Sequence, residues 1–384
     1  MKSKLRVLHI IGGGEFGGAE QHILNLLTSF SKEKVEVAVV CFYDALFARK
    51  LREAGITVTT LHTYGRFDMR ILQGVKHEIE KMDPDIVHTH GVKANFLGRL
   101  AVRNLQYRTI TTVHSNLRYD YVSPFASFVT TQMEKRTRKW NDHFITVSRA
   151  LQDVLIQEDG IPASKTTVIY NGTDLTPYQL HMEKEVDRKA LREEWNLPQD
   201  AFVFGNVGRI VQIKGLPHLL DAFSLYLKKT NATNSYLVII GDGPERSSLE
   251  EQANRLGITS FIRFVGFRTD VPRCLHAIDL YVHAALYEGL GYTIVEAMAS
   301  HLPVIATSAG GVPEFVLSQE TGLLVTPASP EELTEAMITL EADTDLQQKL
   351  VEQASDMVEQ RFTIDKMAEL TLDLYHRLVA KSAR

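Results

Sequence analysis

The chain has 384 residues, 44% of them hydrophobic, and a formal net charge of −5 at neutral pH. That is more apolar chain than one core usually holds, so two domains are expected, and the slight acidity excludes a general nucleic-acid binder. Cys41 and Cys274 are far apart and lack metal-ligand spacing, which favours buried thiols in a reducing compartment over a disulfide.

Near the start, the apolar run of residues 7–11 is interrupted by His9 and is too short for a signal segment, and no run reaches transmembrane length. A cytoplasmic protein is therefore expected. Residues 5–11, 35–42, 56–61, 85–89, 109–114, 143–147 and 167–170 read as strands of a first domain. A polar stretch at 177–192 reads as a linker and a helix start, and residues 202–207, 236–240, 262–265, 280–283, 304–306 and 322–325 give a second set of strands. Strands alternating with amphipathic segments predict an α/β protein of two Rossmann-like domains facing each other across a cleft, with ligands at the carboxyl ends of the strands. The boundaries expected are 1–176 and 177–361, with a final helix at about 362–384 packing back on the first domain.

Several motifs carry chemistry. The loop after residues 5–11 is a literal G-x-G-x-x-G, Gly12-Gly13-Gly14-Glu15-Phe16-Gly17, but the acid that would hold a ribose is not at the end of the next strand, since Asp44 lies past it. His88 and His90 share a face of one strand without a third ligand in sequence, so hydrogen-bonded cleft-edge histidines are expected rather than a metal site. Asp83-Pro84-Asp85 reads as a turn. His114 ends a strand on the side where a cleft belongs, and on spacing alone a core histidine and a functional one both remain open.

Further along, Gly208-Arg209 and Lys214-Gly215 pair fixed cations with glycines that let backbone approach phosphate oxygens. Glu288-Gly-Leu-Gly291 and Glu296 follow. Eight residues of helix would separate the two carboxylates by roughly 12 Å, whereas glycosidase pairs lie about 5 to 9.5 Å apart. They are suited to gripping opposite ends of an extended ligand whose phosphates sit at the helix N-terminus between them.

The segment Tyr287-Glu-Gly-Leu-Gly-Tyr-Thr-Ile-Val-Glu-Ala297 resembles the E-x7-E signature of the retaining family-4 glycosyltransferases of the GT-B fold. Gly17-Gly18-Ala19-Glu20, Asp85-Ile-Val-His-Thr-His90, Thr112-Val-His114, Gly241-Asp-Gly-Pro244 and Gly310-Gly-Val-Pro-Glu314 resemble that family in the same order. The resemblance implies transfer of a hexose-type sugar from a nucleotide diphosphate-sugar, most simply a UDP-sugar, to an acceptor hydroxyl with retention, and no metal. It further implies an acceptor-binding first domain and a donor-binding second domain. Arg209 and Lys214 would neutralise the diphosphate, and Glu288 with the amides of Leu290, Gly291 and Tyr292 would hold the sugar. Glu296 would hold the ribose, the backbone near Val265-Gly266 the base, and His114 with Gly17-Gly18 the sugar side. Leu290 stands where the family usually has Phe. An epimerase or phosphorylase on the same fold, a catalytically silent sensor and an NAD-dependent dehydrogenase are the alternatives.

Residues 93–139 hold nine cations against two acids, interleaved with aromatics. This suits an anionic membrane surface and a lipid-linked acceptor, or equally a solvated face. The other acceptors left open are a free sugar and a small molecule.

Overall fold

A computed structural model describes residues 4–380 other than 15, 62–69, 121–123 and 180–183, with backbone alone at 119, 120 and 124–126. The chain divides into two compact units, Met1–Thr173 with Thr363–Arg384, and Asp174–Phe362. Both are parallel sheets covered by helices, so the expected Rossmann-like pattern is present in each.

The first sheet has seven strands: β1 Leu5–Ile11, β2 Val35–Cys41, β3 Thr57–Thr60, β4 Ile86–His90, β5 Arg108–Val113, β6 His143–Thr146 and β7 Thr166–Val168. Their order is β3-β2-β1-β4-β5-β6-β7. β1 pairs with β2 on one side and with β4 on the other, so the strand order reverses between β1 and β4. β4 is buried along its whole length, as a strand covered on both faces must be. The helix Gly18–Ser29 starts at Gly17, whose N–H donates to Glu20 Oε2 at 3.1 Å, and buries Ile23, Leu26 and Leu27 at helical spacing.

The helix Ile364–Ala380 belongs to the first unit, and Met367, Thr371, Leu374, Tyr375 and Leu378 form its buried stripe. The chain leaves and returns at one point: Thr173 and Thr363 form a parallel bridge, and a Cβ on Gly172 would lie 2.5 Å from Thr363 O. Asn171-Gly172 thus works as a close-approach site under the returning helix. Tyr375 Oη lies 2.6 Å from His88 Nδ1 on β4, tying that helix to the middle of the sheet.

In the second unit, β8 Phe202–Val207, β9 Ser235–Ile240, β10 Ile262–Gly266, β11 Leu280–His283, β12 Val304–Thr307 and β13 Leu323–Val325 are ordered β10-β9-β8-β11-β12-β13. The reversal falls between β8 and β11. Asp279 fixes that pair: its carboxylate accepts Val203 N–H at 2.7 Å and the fully buried Arg192 guanidinium at 2.7 Å. Arg192 also donates to the carbonyls of Ala201 and Ala277, so the buried charge is fully engaged.

Cys41 and Cys274 are buried free thiols, and burial pushes each up to about 12. Among the described residues no helix is long and apolar enough to cross a membrane. Replacing Tyr375 with Phe leaves His88 Nδ1 buried without its partner and should cost about 1 to 3 kcal/mol in urea unfolding. An unchanged midpoint would show that this contact does not anchor the returning helix.

Candidate active site

Ligands of open parallel sheets bind where the strand order reverses, at the carboxyl ends of the strands. In the second unit that place receives Arg209, Lys214, His283 and Glu288. Beyond β8 the chain is pinned by Gly208 N–H to Ile240 O at 2.9 Å and Ile210 N–H to Asp242 O at 2.9 Å, with Arg209 exposed between them. The approach is close: a Cβ on Gly241, at φ +142°, would lie 1.8 Å from Gly208 O. Lys214 ends a 3-10 turn closed by Gly215 at φ +62°, where a Cβ would lie 2.0 Å from Ala284 O. This glycine lets the cationic turn lie against the chain leaving β11, a contact sealed by Leu286 N–H to Ile213 O at 2.8 Å.

Lys214 Nζ reaches Glu288 Oε2 at 2.5 Å, and His283 Nε2 lies 3.3 Å from the same oxygen. Burial alone would raise the Glu288 carboxyl, but the Lys214 charge and the His283 hydrogen bond overcome it and hold the group at about 2. Burial pushes His283 below its ordinary value, against the opposing pull of Glu288, so the ring is neutral at pH 7. An ionised carboxylate can only accept, so His283 donates from Nε2 and keeps Nδ1, which is buried and unpartnered, as a bare acceptor.

The segment after Glu288 is held from behind. Gly311 N–H donates to Glu288 O at 3.1 Å, and a Cβ on Gly310, at φ +55°, would lie 1.9 Å from that oxygen. Leu290 is buried, leaving its backbone as the part that a ligand can meet. Gly291, at φ +102°, opens the helix Tyr292–Ala299. The helix's first bonds run from Ile294 and Val295 back to Gly291 O, so the amides of Tyr292 and Thr293 have no helical acceptor.

Glu296 lies one turn on, half-buried, and burial raises its carboxyl while a hydrogen bond from Tyr178 opposes the rise. Val265 falls at a β-bulge before Gly266, whose carbonyl accepts Gly241 N–H at 2.8 Å, so both adjoin the Gly241 turn. Lys214 and Glu288 are therefore in direct contact. Arg209 and Val265-Gly266 stand on neighbouring loops at the same strand ends, and Glu296 stands on the helix Tyr292–Ala299.

His283 and Tyr178 are absent from the sequence reading. His283 ends a strand at the reversal point, a signal that was present in position alone. Tyr178 sits at the start of the stretch read as linker, where nothing marks it.

In the first unit, β5 ends at Val113 and His114 follows it, one residue short of the strand expected to contain it. A chain of imidazoles leads inward: His114 Nε2 lies 3.2 Å from His90 Nδ1, and His90 Nε2 lies 3.0 Å from His9 Nδ1. His22, from the helix that Gly17-Gly18 open, places its ring edge-on to His114 at 4.9 Å. His88 is bonded through both nitrogens, to Tyr375 and to Thr112 at 2.7 Å.

His88 and His90, expected at a cleft edge, are instead interior residues, 0% and 1% exposed, because the helix Ile364–Ala380 covers β4. Nitrogens of His9, His88 and His90 lie within 4.8 Å of one another, close enough to share an ion. Both nitrogens of His88 and of His90 are already hydrogen-bonded, so an ion would have to displace a partner at each, whereas His9 Nε2 is buried and has no partner among the described residues. Asp44, past β2, is paired with Arg52 at 2.7 Å rather than presented to a ribose.

Four of the nine cations in the cluster are paired with acids at least 21 residues away in sequence. Arg99 pairs with Glu134, Arg108 with Asp142, Arg118 with Glu158 and Arg138 with Asp159. Arg103 and Lys139 lie over the Trp140 ring. Lys135, Arg136 and Lys139 remain exposed, near Phe128, which is 63% exposed.

The family model for glycosyl transferases group 1 matches residues 187–357, and the model for glycosyltransferase family 4 matches residues 16–176. The chain is a group 1 glycosyltransferase of the GT-B fold. Among solved structures, this glycosyltransferase is similar to Anabaena HepE in complex with UDP-glucose, at TM-score 0.84 and 26% identity over 97% of this chain and 100% of that one. Among curated relatives it is 26% identical to an Escherichia coli galactosyltransferase named for UDP-Gal and alpha-D-GlcNAc-diphosphoundecaprenol, over 81% of this chain and 80% of the relative. It is 27% identical to the Staphylococcus aureus capsular polysaccharide biosynthesis glycosyltransferase CapM, over 79% of each. Both curated relatives are named as glycosyltransferases, one of them of capsular polysaccharide biosynthesis, and neither name favours the epimerase, phosphorylase or dehydrogenase alternatives.

The buried imidazoles set a pH dependence for the glycosyltransferase. Burial pulls His22 down to about 4 and His9 to about 3 from an ordinary 6.5, and it depresses His88, His90 and His114 as well. Below 6.5 the unfolded chain binds more protons than the folded one, so the stability present above that value is lost as pH falls through the window down to about 3. The urea midpoint should drop steadily between pH 7 and pH 4. A flat profile would mean that these rings are not neutral in the folded state.

Proposed function

We propose that this glycosyltransferase moves a hexose-type residue from a UDP-sugar to an acceptor hydroxyl in the synthesis of a cell-envelope glycan, with retention at the anomeric carbon and without a metal. The observation that carries the reading is the Lys214–Glu288–His283 contact at the strand reversal of the second unit. It places a fixed cation, a carboxylate held ionised and a neutral imidazole beside free helix amides. Diphosphate oxygens suit Lys214, Arg209 and those amides, and sugar hydroxyls suit Glu288. The UDP complexes of HepE and the UDP-Gal in the name of the Escherichia coli relative support uridine donors.

In this scheme the bond from C1 of the sugar to the phosphate oxygen breaks and the acceptor oxygen bonds C1 on the same face. The departing phosphate oxygen takes the acceptor proton. Arg209 and Lys214 stabilise the charge that develops on the diphosphate, the part a metal plays elsewhere. Glu296 holds the ribose, the backbone at Val265-Gly266 the base, and Leu290, Gly291 and Tyr292 the sugar through their amides. The first unit contributes His114 and the Gly17-Gly18 loop and binds the acceptor. The protein works at the inner face of the membrane, with Lys135, Arg136 and Lys139 resting on anionic lipid.

A panel of uridine, guanosine and adenosine sugar nucleotides, read by thermal shift and nucleotide release, tests the reading. Uridine donors should stabilise the protein and turn over, with turnover unaffected by EDTA; stabilisation by none of them would sink the proposal. Arg209→Ala and Lys214→Ala should each weaken UDP binding by about 1.5 to 3 kcal/mol, since each removes a charge-assisted phosphate contact. Glu288→Gln should lower turnover with UDP affinity largely kept, whereas Glu296→Gln should weaken UDP binding. Wild-type behaviour in both glutamine variants would remove the assigned roles.

Neutralising Lys135, Arg136 and Lys139 together should release the protein from phosphatidylglycerol vesicles, each cation near such a surface being worth about 1 kcal/mol. Equal co-sedimentation with neutral and anionic vesicles would return those residues to a solvated face.

A further inference from the structure

The Glu288 carboxylate is occupied on one side only. Lys214 Nζ and His283 Nε2 both meet Oε2, at 2.5 and 3.3 Å. Oε1 takes no hydrogen bond among the described residues, and unlike Nδ1 of the imidazole it is not shut off from solvent. An ionised carboxylate oxygen accepts and cannot donate, so Oε1 is presented to a hydroxyl while Oε2 is held from behind. The two holders differ in what else they do. Lys214 carries a full charge on the loop assigned to the diphosphate, and the negative charge of a bound diphosphate offsets the field of the ammonium at Glu288. His283 offers a single neutral N–H, and Glu288 is the one polar partner of its ring among the described residues.

The backbone fixes that ring. His283 is 2% exposed and ends β11 in register with Ala306 of β12. On the residue before it, Val282 O accepts Asn206 Nδ2–H at 2.8 Å; two residues after it, Ala285 O accepts the Thr307 hydroxyl at 2.6 Å. The imidazole is also expensive where it stands. Its Nδ1 is buried without a partner, a loss of about 1 to 3 kcal/mol that an apolar ring of similar size would avoid. A histidine here has no packing advantage to offset that cost, and its Nε2–H on Glu288 is the one contact that an apolar ring could not make.

We propose that His283 is a positioning residue for sugar transfer, holding Oε2 of Glu288 while diphosphate oxygens share Lys214, so that Oε1 is aimed at a hydroxyl of the donor sugar. Sugar transfer is taken from the reading above; the hold of His283 on Glu288 stands without it. Removing the imidazole then costs turnover rather than nucleotide affinity, because UDP alone makes no demand on Oε1.

Kinetics and UDP calorimetry on the full-length protein test the role. His283→Phe should lower kcat about tenfold or more, the worth of one hydrogen bond to a charged group, with UDP affinity within about twofold of wild type, which also verifies that the variant is folded. His283→Gln, whose amide nitrogen reaches the place of Nε2, should recover part of the loss. His283→Asn is too short to reach Glu288 and should behave as the Phe variant does, and it carries the test if the Phe variant does not fold. In a Glu288→Gln background His283→Phe should add little, since the charge it holds is gone. Wild-type kcat in His283→Phe, or an equal further loss in the Glu288→Gln background, overturns the proposal, the second outcome by making the residue a structural one. The hold is read separately from the nitrogen-15 shifts of the ring: the proton should sit on Nε2 both in the free protein and with UDP saturating, and a bare Nε2 in either state overturns the proposal. If no sugar nucleotide reacts with wild-type protein, the transfer reading fails and the position of that proton decides the hold by itself.

Discussion

A carboxylate taken out of water stays ionised only where a cation is fixed beside it, and the second unit is arranged around that requirement. Glu288 is charged because Lys214 lies 2.5 Å away with His283 behind it. Lys214 is within reach because Gly215 lets its turn come against Ala284, and Glu288 is within reach because Gly310 lets the opposite loop support its carbonyl. A side chain at either glycine would separate the partners and leave two charges stranded in a poorly solvated pocket. The same ion pair makes the two residues interdependent: a change at Lys214 alters the ionisation of the Glu288 carboxylate as well, so the proposed phosphate and sugar roles cannot be changed one at a time. Substitutions at the two positions should be non-additive.

The strand pattern was legible because fully buried parallel strands leave continuous β-branched and apolar runs. All thirteen described strands fall within a residue or two of their expected positions. The loops carrying Arg209, Lys214 and Glu288 were legible because glycines mark where backbone must approach backbone. Contacts between those loops were not, and nothing in the spacing of Lys214 and Glu288, separated by 74 residues, says that they touch. His283 was missed for a related reason: a histidine ending a strand reads as any other until the strand order shows it at the reversal.

Charge was the least legible property. The cluster between Lys93 and Lys139 looks strongly basic as a segment, yet Asp142, Glu158 and Asp159, all outside it, return carboxylates to its arginines. Ion pairs form in space, so a window of sequence counts charges without their partners. Subtracting the pairs leaves Lys135, Arg136 and Lys139 among the exposed cations of the segment. The histidines show the converse. Their spacing suggested an edge, but the helix covering them comes from the far end of the chain.

That helix has a consequence for synthesis. The first unit is interrupted by the second, and the contact between His88 and Tyr375 spans 287 residues. As the chain leaves the ribosome, strands β1 to β7 are complete long before their covering helix exists, with His88 and the apolar stripe opposite Met367 and Leu374 still uncovered. The second unit is continuous and can close first, reversing the usual N-to-C order in which domains mature. The nascent first unit therefore spends most of its translation time as a sheet with one open face, the stage at which a chaperone would have most to hold. A cut that removes the whole helix Ile364–Ala380 would return the finished protein to that condition.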